Sequence, residues 1–309
     1  MQGFSYQSTV ARELVHRAAV SEVFLTDWRH SGPDSFVCAV QWPQRHNFYS
    51  IGGVMIDPLM VVETLRQAGI LIAHSGYGIP LEHSFLMQRL TWRCFPERMT
   101  LSDGPVELLA RVEVGEIRYR ARGVDAMRVA VEFVRDGVVC AHGAGWLRCV
   151  GPRVYARMRQ AERSGEPGKP PYVAPADPQL VGRELSRDVV VGDLDETGTR
   201  PLRILTDHPT LFDHPLDHVP GMLAFEAMRQ AAIALLGGAL RAPLAGETRF
   251  TSLLELDEDC RVAAMLSPSN GDQVGPGAHK VTAVLSQRGV TAVRGAVEMG
   301  PKIGVCVLA

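Results

Sequence analysis

Two charged side chains recur at the same spacing within two otherwise apolar segments. The sequence Glu-x-x-Arg-Gln-Ala places Glu63 with Arg66 in the first segment and Glu226 with Arg229 in the second. A carboxylate and a guanidinium are costly to bury unless they pair or take part in chemistry. A carboxylate can act as a general base, and an arginine can bind phosphate through two parallel hydrogen bonds. The motif therefore indicates either acid–base and anion chemistry or, because the spacing is i,i+3, mutual neutralisation within each helix.

A loop with three Asp-His doublets precedes the second apolar segment. Its His214 and His218 are candidates for proton transfer or substrate contact. Capping and loop packing with the neighbouring aspartates explain these two histidines equally well. At the start of the following helix, the backbone N–H groups of Gly221 and Met222 could stabilise negative charge that develops on a substrate. No metal site is predicted, because prolines interrupt the doublets and break the geometry that a helical His-x-x-x-His would offer.

The first apolar segment has a similar set of neighbours. His46 occupies the equivalent loop of the first copy and is a further candidate for substrate contact. Gln67 and Gln230 follow the two motif arginines directly, so we include both among the substrate-binding candidates. Arg66 could bind phosphate in place of Arg229.

The motif belongs to a longer internal repeat. The two motif glutamates are 163 residues apart (226 − 63) in a chain of 309 residues. An arginine five residues before an acidic residue also recurs, as Arg17 with Glu22 and as Arg183 with Asp188. A repeat of about half the chain length indicates two copies of one fold. We therefore predict an N-terminal repeat at 1–150, a proline-rich, irregular linker at 151–180 and a C-terminal repeat at 181–309.

Each predicted repeat has short strands, one long apolar helix and then a run of antiparallel strands. The helices are predicted near 58–74 and 220–238, and Asp57 is a suitable N-cap for the first of them. In the first repeat, residues 22–26 resemble a strand and Asp136-Gly137 predicts a hairpin turn. In the second repeat, residues 249–256 and Cys260–Leu266 resemble strands. A helix that is apolar nearly all round needs cover on most of its surface, which a curved sheet provides. The prediction is an α+β double hotdog, in which two tandem repeats form an internal pseudo-dimer.

The bulk properties exclude several classes of protein. Hydrophobic residues make up 46% and charged residues 21% of the sequence, as in ordinary globular proteins. The formal net charge of −2 gives no basic field for nucleic acid. No apolar run is long enough to span a membrane, and the N-terminus lacks a signal-peptide pattern. Six cysteines without a Cys-x-x-Cys pattern are expected to be free thiols. We expect a cytoplasmic protein without a cofactor.

The entrance to the second helix resembles the motif of the hotdog dehydratases. The matching residues are a His-Pro pair, Pro220-Gly221-Met222-Leu223 and Glu226 followed by alanine. In those enzymes a loop histidine and a helix glutamate handle protons on an acyl thioester, which would make His214 and Glu226 catalytic. The chain departs from that pattern, since His214 is only twelve residues before Glu226 (226 − 214).

A closer resemblance, over nearly the whole chain, is to the A-factor-synthase-like family of γ-butyrolactone and furan autoregulator biosynthesis. In the first half it rests on three runs of sequence: His16-Arg17-Ala18 with Glu22 to Asp27, Gln41-Trp42-Pro43 with His46, and Glu63 to Ala68 with His74. In the second half it rests on Phe212 to Pro215, Asp217 to Met222, Glu226 and Arg229-Gln230-Ala231.

This resemblance implies transfer of a β-ketoacyl group from a thioester, on acyl carrier protein or CoA, to a hydroxyl of dihydroxyacetone phosphate. It also implies that Glu63 and Arg229 are the functional pair. The residues agree in outline, because acyl transfer to a hydroxyl needs an orienting carboxylate, donors for the oxyanion and a cation for the phosphate. No Gly-x-Ser-x-Gly nucleophile is present, which favours direct transfer.

Two other functions stay open at this stage. One is a hotdog dehydratase or thioesterase that acts on acyl thioesters. The other is a non-catalytic ligand-binding regulator, against which the repeated buried ionic pairs argue. Further association of the chain into a homo-oligomer is compatible with either.

Overall fold

The computed structural model describes residues 3–120, 123–162, 168–268 and 275–304. The chain divides into two compact units. The first unit contains Met1–His46 and Met60–Glu166, and the second contains Asn47–Leu59 and Pro167–Ala309. A short segment from the N-terminal half of the sequence thus folds with the C-terminal half. The repeat boundaries at 150 and 181 stay a prediction, because compact units and sequence repeats are different divisions of a chain.

Three α-helices and thirteen strands lie within the described residues. The helices are α1 (Pro58–Ser75), α2 (Pro152–Glu162) and α3 (Gly221–Leu235). The strands are, in chain order, β1 (Leu25–His30), β2 (Ser35–Trp42), β3 (Ser50–Ile51), β4 (Met55–Ile56), β5 (Ser84–Cys94), β6 (Val106–Arg120), β7 (Gly123–Arg135), β8 (Val138–Val150), β9 (Arg200–Pro201), β10 (Pro243–Phe250), β11 (Cys260–Leu266), β12 (His279–Gln287) and β13 (Val290–Met299). None of the helices in the described part of the chain combines the length and hydropathy needed to cross a bilayer.

The sheet of the first unit has the order β1-β2-β6-β7-β8-β5, with antiparallel neighbours throughout. The turn between β7 and β8 is the predicted Asp136-Gly137 hairpin, and both residues have positive φ, 50° and 79°. This conformation is the one that a two-residue hairpin turn requires.

The sheet of the second unit has the order β10-β13-β12-β11-β9, again antiparallel. In both units a strand that precedes the long helix, β2 or β9, pairs with the second strand after the helix, β6 or β11. The first strand after the helix, β5 or β10, lies at the far edge of that unit's sheet. The strands β2, β5, β6, β7 and β8 thus correspond to β9, β10, β11, β12 and β13. This shared topology, with one long helix per copy, confirms the predicted α+β double hotdog.

The two long helices are almost completely buried, as the predicted sheet cover requires. In α1 every residue from Pro58 to His74 is buried except Arg66, and in α3 the residues Met222 to Ile233 are all buried. A glycine lets each helix approach its sheet. A Cβ on Gly143 of β8 would lie 2.8 Å from the Leu65 side chain, and one on Gly295 of β13 would meet the Met228 side chain.

Three local predictions were wrong. Residues 22–26 begin in a 3-10 helix, Val20–Glu22, and β1 starts only at Leu25, because a helix side chain binds the intervening backbone. Residues 251–256 follow β10 instead of forming it, since Glu255 N donates to the Gln287 side chain at 2.8 Å. The start of the linker is helical, because after Pro152 at the first helical turn no proline occurs before residue 167.

Candidate active site

The carboxylate of Glu63 is the centre of a buried cluster in the first unit. It is fully buried and accepts hydrogen bonds from Arg17 Nε at 3.0 Å, Arg66 Nε at 2.9 Å and Gln67 Nε2 at 2.8 Å. Arg17 is buried as well, whereas the Arg66 side chain is 22% exposed. We call Glu63, Arg17, Arg66 and Gln67 the first cluster. It contains three of the predicted site residues in direct contact.

Gln67 links the first cluster to the chain segment before β1. Its Nε2 also donates to Glu22 O at 2.7 Å, and its Oε1 accepts from Phe24 N at 2.9 Å. The side chain of Glu22 lies 3.4 Å from His46 Nε2 (Oε1 to Nε2), and the His46 ring packs edge-on against Phe24. The structure therefore places His46 next to the segment that Gln67 holds.

The first cluster keeps Glu63 ionised. Burial alone would raise the pKa of this carboxyl, but the charges of Arg17 and Arg66 outweigh it and, with the hydrogen bond from Gln67, lower the pKa to about 2. A carboxylate with so low a pKa is a weak proton acceptor. Its chemistry is therefore orientation and charge, unless a substrate displaces one of the arginines.

The second unit repeats this arrangement around Glu226. The fully buried carboxylate accepts from Arg183 Nε at 2.9 Å and Arg229 Nη2 at 2.6 Å, and also from Gln230 Nε2. Gln230 likewise holds the preceding segment, donating to Asp188 O at 2.7 Å and accepting from Val190 N at 2.8 Å. Glu226, Arg183, Arg229 and Gln230 form the second cluster.

A second carboxylate reaches the second cluster from the segment Asn47–Leu59. Asp57 Oδ2 lies 3.4 Å from Arg229 Nη1, and both side chains are essentially inaccessible to solvent, at 0% and 1% exposure. The same segment contributes Phe48, whose carbonyl accepts from Arg183 Nη1 at 2.7 Å and whose ring lies 4.0 Å from the guanidinium carbon. The cluster thus has two arginines and two carboxylates.

The two carboxyl groups of this cluster have opposite pKa shifts. Burial raises the pKa of Asp57, and the attraction of Arg229 and Arg183 only partly offsets this effect. For Glu226, burial again acts upward, but the charges and hydrogen bonds of Arg183 and Arg229 lower the pKa overall. Glu226 is therefore the ionised partner of the arginines, and Asp57 is held in a site that disfavours its charge.

Arg229 retains an unused donor. Burial would lower its pKa, but Glu226 and Asp57 raise it, so the guanidinium stays charged. Its Nε–H group is buried and has no acceptor among the residues that the structure describes. A buried donor without a partner is costly, and in a site it is often satisfied by a ligand or water.

Each of the two predicted loop histidines before α3 lies beside the aspartate that precedes it in the sequence. His214 Nδ1 is 3.5 Å from Asp213 Oδ2, and His218 Nδ1 is 2.7 Å from Asp217 Oδ1. Gly221 and Met222 form the first turn of α3, whose start has no side-chain cap, so their N–H groups keep the predicted orientation at a helix N-terminus. Their roles in binding or catalysis stay predictions.

A third histidine of that loop corresponds to His46 in position. His208 precedes Glu226 by 18 residues (226 − 208), as His46 precedes Glu63 by 17 (63 − 46). His208 Nε2 lies 3.3 Å from Asp188 Oδ1, while its Nδ1 accepts backbone N–H groups of Thr210 and Leu211. Within the described residues, no group of three or more His, Cys, Asp or Glu could hold a metal ion.

Arg17, Arg183 and His208 were assigned no role from the sequence, and Asp57 only that of a helix cap. The structure places all four in or beside the clusters. The repeated Arg-x-x-x-x-acid spacing was a usable signal for the two arginines. The partnership of Asp57 with Arg229 has no such signal, because the residues are 172 positions apart.

The comparisons with known proteins agree with this duplicated arrangement. The model of the A-factor biosynthesis hotdog domain family matches residues 5–151 and 166–300. The chain belongs to this family. Both family segments contain one of the two clusters.

Two relatives cover most of the chain. A protein of Streptomyces virginiae named 2-oxo-3-(phosphooxy)propyl 3-oxoalkanoate synthase is 39% identical over 268 residues, covering 86% of this chain and 91% of that protein. A protein of the same name from Streptomyces coelicolor is 36% identical over 260 residues, covering 84% and 82%.

A solved structure supports the fold. The 12:0-ACP thioesterase from Umbellularia californica superposes with a TM-score of 0.52 at 12% identity and covers 89% of this chain and 100% of that one. At this identity the likeness shows the hotdog fold and carries no information about substrate.

Proposed function

We propose that this A-factor family protein is an acyltransferase that makes 2-oxo-3-(phosphooxy)propyl 3-oxoalkanoates. The observation that carries the proposal is that relatives at 36–39% identity over most of the chain bear the name of this synthase. The named product is an ester whose alcohol half is dihydroxyacetone phosphate and whose acyl half is a 3-oxoacyl group. The reaction would be the first step towards a γ-butyrolactone or furan signalling molecule.

The chemistry is a direct acyl transfer. The hydroxyl oxygen of dihydroxyacetone phosphate attacks the thioester carbonyl, the new C–O bond forms, the C–S bond breaks, and the hydroxyl proton ends on the released thiol. The reaction needs stabilisation of a transient oxyanion, a cation for the phosphate, and orientation of the attacking hydroxyl. None of these steps requires a cofactor.

Arg229 is the proposed anion-binding residue. It is fully buried and charged, and its Nε–H group has no acceptor in the described part of the chain. An oxygen of the phosphate or of the oxyanion would satisfy this donor through a charge-assisted hydrogen bond. Gly221 and Met222 N–H groups are the proposed further donors, and His214, His218 and His46 the proposed polar contacts.

Glu63 is the proposed orienting carboxylate. Its hydrogen-bond donors within the described residues belong to Arg17, Arg66 and Gln67, and its low pKa keeps it charged at any physiological pH. A charge fixed in this way can orient a hydroxyl or position Arg66 towards the phosphate. Gln67 and Gln230 would keep each carboxylate in place, with Glu226 as the counterpart in the second repeat.

The donor and the compartment are finer parts of the proposal. An acyl carrier protein is the proposed carrier of the 3-oxoacyl group, with CoA as the other thioester to test, and the cytoplasm is the proposed compartment. Titrating the enzyme with matched 3-oxoacyl thioesters of carrier protein and of CoA would compare the two donors. A lower KM for the carrier-protein thioester is expected.

The activity is tested by mass spectrometry of the product. The purified protein is incubated with a 3-oxoacyl thioester and dihydroxyacetone phosphate, and the expected product is the phosphorylated ester or the butenolide phosphate that forms from it. Free 3-oxo acid without ester would instead indicate a thioesterase, and water loss from a 3-hydroxyacyl thioester a dehydratase. A protein that neither consumes nor binds the thioester would contradict the proposal of an enzyme of this class.

Four conservative variants test the residue roles. Glu63→Gln and Arg229→Lys are expected to lower kcat/KM by about 10²-fold or more, the scale for losing one donor to a developing charge. Arg229→Lys keeps the charge beside Glu226 but removes Nε–H. The matched variants Glu226→Gln and Arg66→Lys change the same groups in the opposite repeat. Equal losses in all four would contradict a special role for Glu63 and Arg229.

A further inference from the structure

Asp57 contacts Arg229, the proposed anion-binding residue, but has no role in the acyl transfer described above. It is fully buried, comes from the segment Asn47–Leu59 and lies 3.4 Å from Arg229 (Oδ2 to Nη1). Its other oxygen, Oδ1, accepts a hydrogen bond from Leu59 N at 2.9 Å, in the first turn of α1. The two oxygens of the side chain therefore make different contacts: Oδ1 caps the helix and Oδ2 faces Arg229.

Capping alone does not account for an aspartate at this position. Asparagine, serine and threonine cap helices about as well as aspartate, and none of them brings a charge. Burial raises the pKa of Asp57, so the site disfavours the very charge that distinguishes Asp from Asn. The carboxylate is thus explained by its contact with Arg229 and not by the cap.

The second repeat shows that the fold does not demand a side-chain cap here. Asp57 precedes Glu63 by six residues (63 − 57), and the residue six before Glu226 is Pro220 (226 − 220). Pro220 is the N-cap of α3 and makes no side-chain cap hydrogen bond. A helix that starts without a cap is therefore compatible with this architecture, and Asp57 is a feature of one repeat only.

The contacts of Arg229 indicate what Asp57 does. Nη2 donates to Glu226 Oε1 at 2.6 Å, and Nη1 faces Asp57 Oδ2, so carboxylates engage both terminal nitrogens. Two anchors on a planar guanidinium fix its plane as well as its position. The remaining donor, Nε–H, is the one without an acceptor in the described residues.

We propose that Asp57 is a positioning residue that, together with Glu226, holds the Arg229 guanidinium so that Nε–H is kept for an oxygen of the phosphorylated substrate. This inference rests on the proposed function, because it assigns the substrate to Arg229. Asp57 itself does not touch the substrate. Without Asp57, Arg229 has a single carboxylate anchor and can rotate about it.

The test uses two variants that separate the cap from the anchor. Asp57→Asn keeps an oxygen for Leu59 N–H and removes the charge opposite Arg229, whereas Asp57→Ala removes both. We expect Asp57→Asn to lower kcat/KM for dihydroxyacetone phosphate about tenfold or more, mainly through KM. Asp57→Ala should lose activity to the same extent and should have a lower Tm than Asp57→Asn, because the cap is lost as well as the charge.

A double-mutant cycle with Arg229→Lys completes the test. If Asp57 acts through Arg229, adding Asp57→Asn to Arg229→Lys should lower kcat/KM by less than twofold further, because there is no Nε–H left to position. A full tenfold loss in that background would overturn the inference. Wild-type kcat/KM in Asp57→Asn, with a lower Tm in Asp57→Ala, would also overturn it and leave Asp57 a cap only.

The outcome for the proposed function is read separately. If the wild-type protein makes the ester and Asp57→Asn is as active as the wild type, only the role of Asp57 is rejected. If the wild-type protein makes no ester from any 3-oxoacyl thioester, the proposed function is rejected, and the role of Asp57 with it.

Discussion

The first and second clusters have the same hydrogen-bond pattern but different charge environments. In each, a fully buried glutamate accepts from two arginines and a glutamine, and the glutamine also donates to a backbone carbonyl oxygen of an earlier segment of the chain. The helix arginine differs between them. Arg66 is 22% exposed, whereas Arg229 is 1% exposed and faces the additional carboxylate of Asp57. A duplicated motif can therefore keep its hydrogen bonds while its electrostatics diverge.

The difference follows from solvation. A partly exposed arginine keeps some of its hydration, so Arg66 does not need a second carboxylate. Arg229, at 1% exposure, loses nearly all of its hydration, and the second carboxylate offsets part of that loss. This difference in solvation accounts for the additional carboxylate beside Arg229.

The largest expected effect on the free energy of unfolding comes from removing Arg229. Arg229→Met should cost about 3–5 kcal/mol of unfolding free energy, because it leaves Glu226 with one arginine and removes the guanidinium that contacts Asp57. Arg66→Met should cost about 1–2 kcal/mol, since Glu63 keeps Arg17 and Gln67. Urea unfolding of the two variants measures the difference. Adding Asp57→Asn to Arg229→Met should recover part of the loss, and equal costs for both arginines would contradict the comparison.

The glycines under the two helices should differ as well. Gly143→Ala would place a Cβ 2.5 Å from the Thr91 carbonyl oxygen, whereas in Gly295→Ala the end of the Met228 side chain can move and the backbone oxygen of Glu247 is farther away, at 2.8 Å. Overpacking of this kind costs about 1–3 kcal/mol. We expect Gly143→Ala at the upper end and Gly295→Ala at the lower end in denaturant unfolding. The reverse order would mean that the β13 backbone is the less adaptable of the two.

The histidines before the two helices offer a smaller contrast. His208→Ala removes the acceptor of two backbone N–H groups as well as the contact with Asp188, and should cost about 1–2 kcal/mol. His46→Ala should change kcat/KM more than stability. Thermal unfolding and activity are measured on both variants. A larger loss of stability in His46→Ala would reverse this assignment of structural and functional roles.

The pH dependence of stability should distinguish the first cluster. The pKa of Glu63 in the folded protein, about 2, is below its ordinary value of 4.5, so its stabilisation is complete above about pH 4.5 and is lost as the pH falls towards 2. Over that range one proton is taken up on unfolding, a slope of at most about 1.4 kcal/mol per pH unit. Glu63→Gln should reduce this slope in urea unfolding between pH 5 and 3. An unchanged slope would show that other carboxyl groups carry the acid response.

Much of the fold could be predicted from periodicity and spacing. The start of α1, the strand Cys260–Leu266 and the Asp136-Gly137 turn were predicted correctly, because apolar pattern and turn residues act locally. Residues 249–256 were misplaced because a strand pattern does not reveal which backbone groups a distant glutamine will bind.

For the candidate site, the sequence identified the centres of both clusters and their i,i+3 partners. The repeated Arg-x-x-x-x-acid spacing also contained the second arginine of each cluster, although no role was assigned to it. Asp57, the carboxylate that faces Arg229 in the second cluster, could not be found in this way. A cap residue and a helix arginine so far apart share no period, and neither is unusual by itself.

The sequence alone determined that this protein contains two copies of one α+β fold, each with a glutamate, an arginine and a glutamine on a buried helix. That information is local, because helical spacing and apolar pattern are set by neighbouring residues. Only the tertiary structure decided that Arg66 reaches solvent and Arg229 does not, and that Asp57 joins the second cluster. Solvation and ionisation depend on everything packed around a side chain, and the segment Asn47–Leu59 is packed where chain order does not predict it.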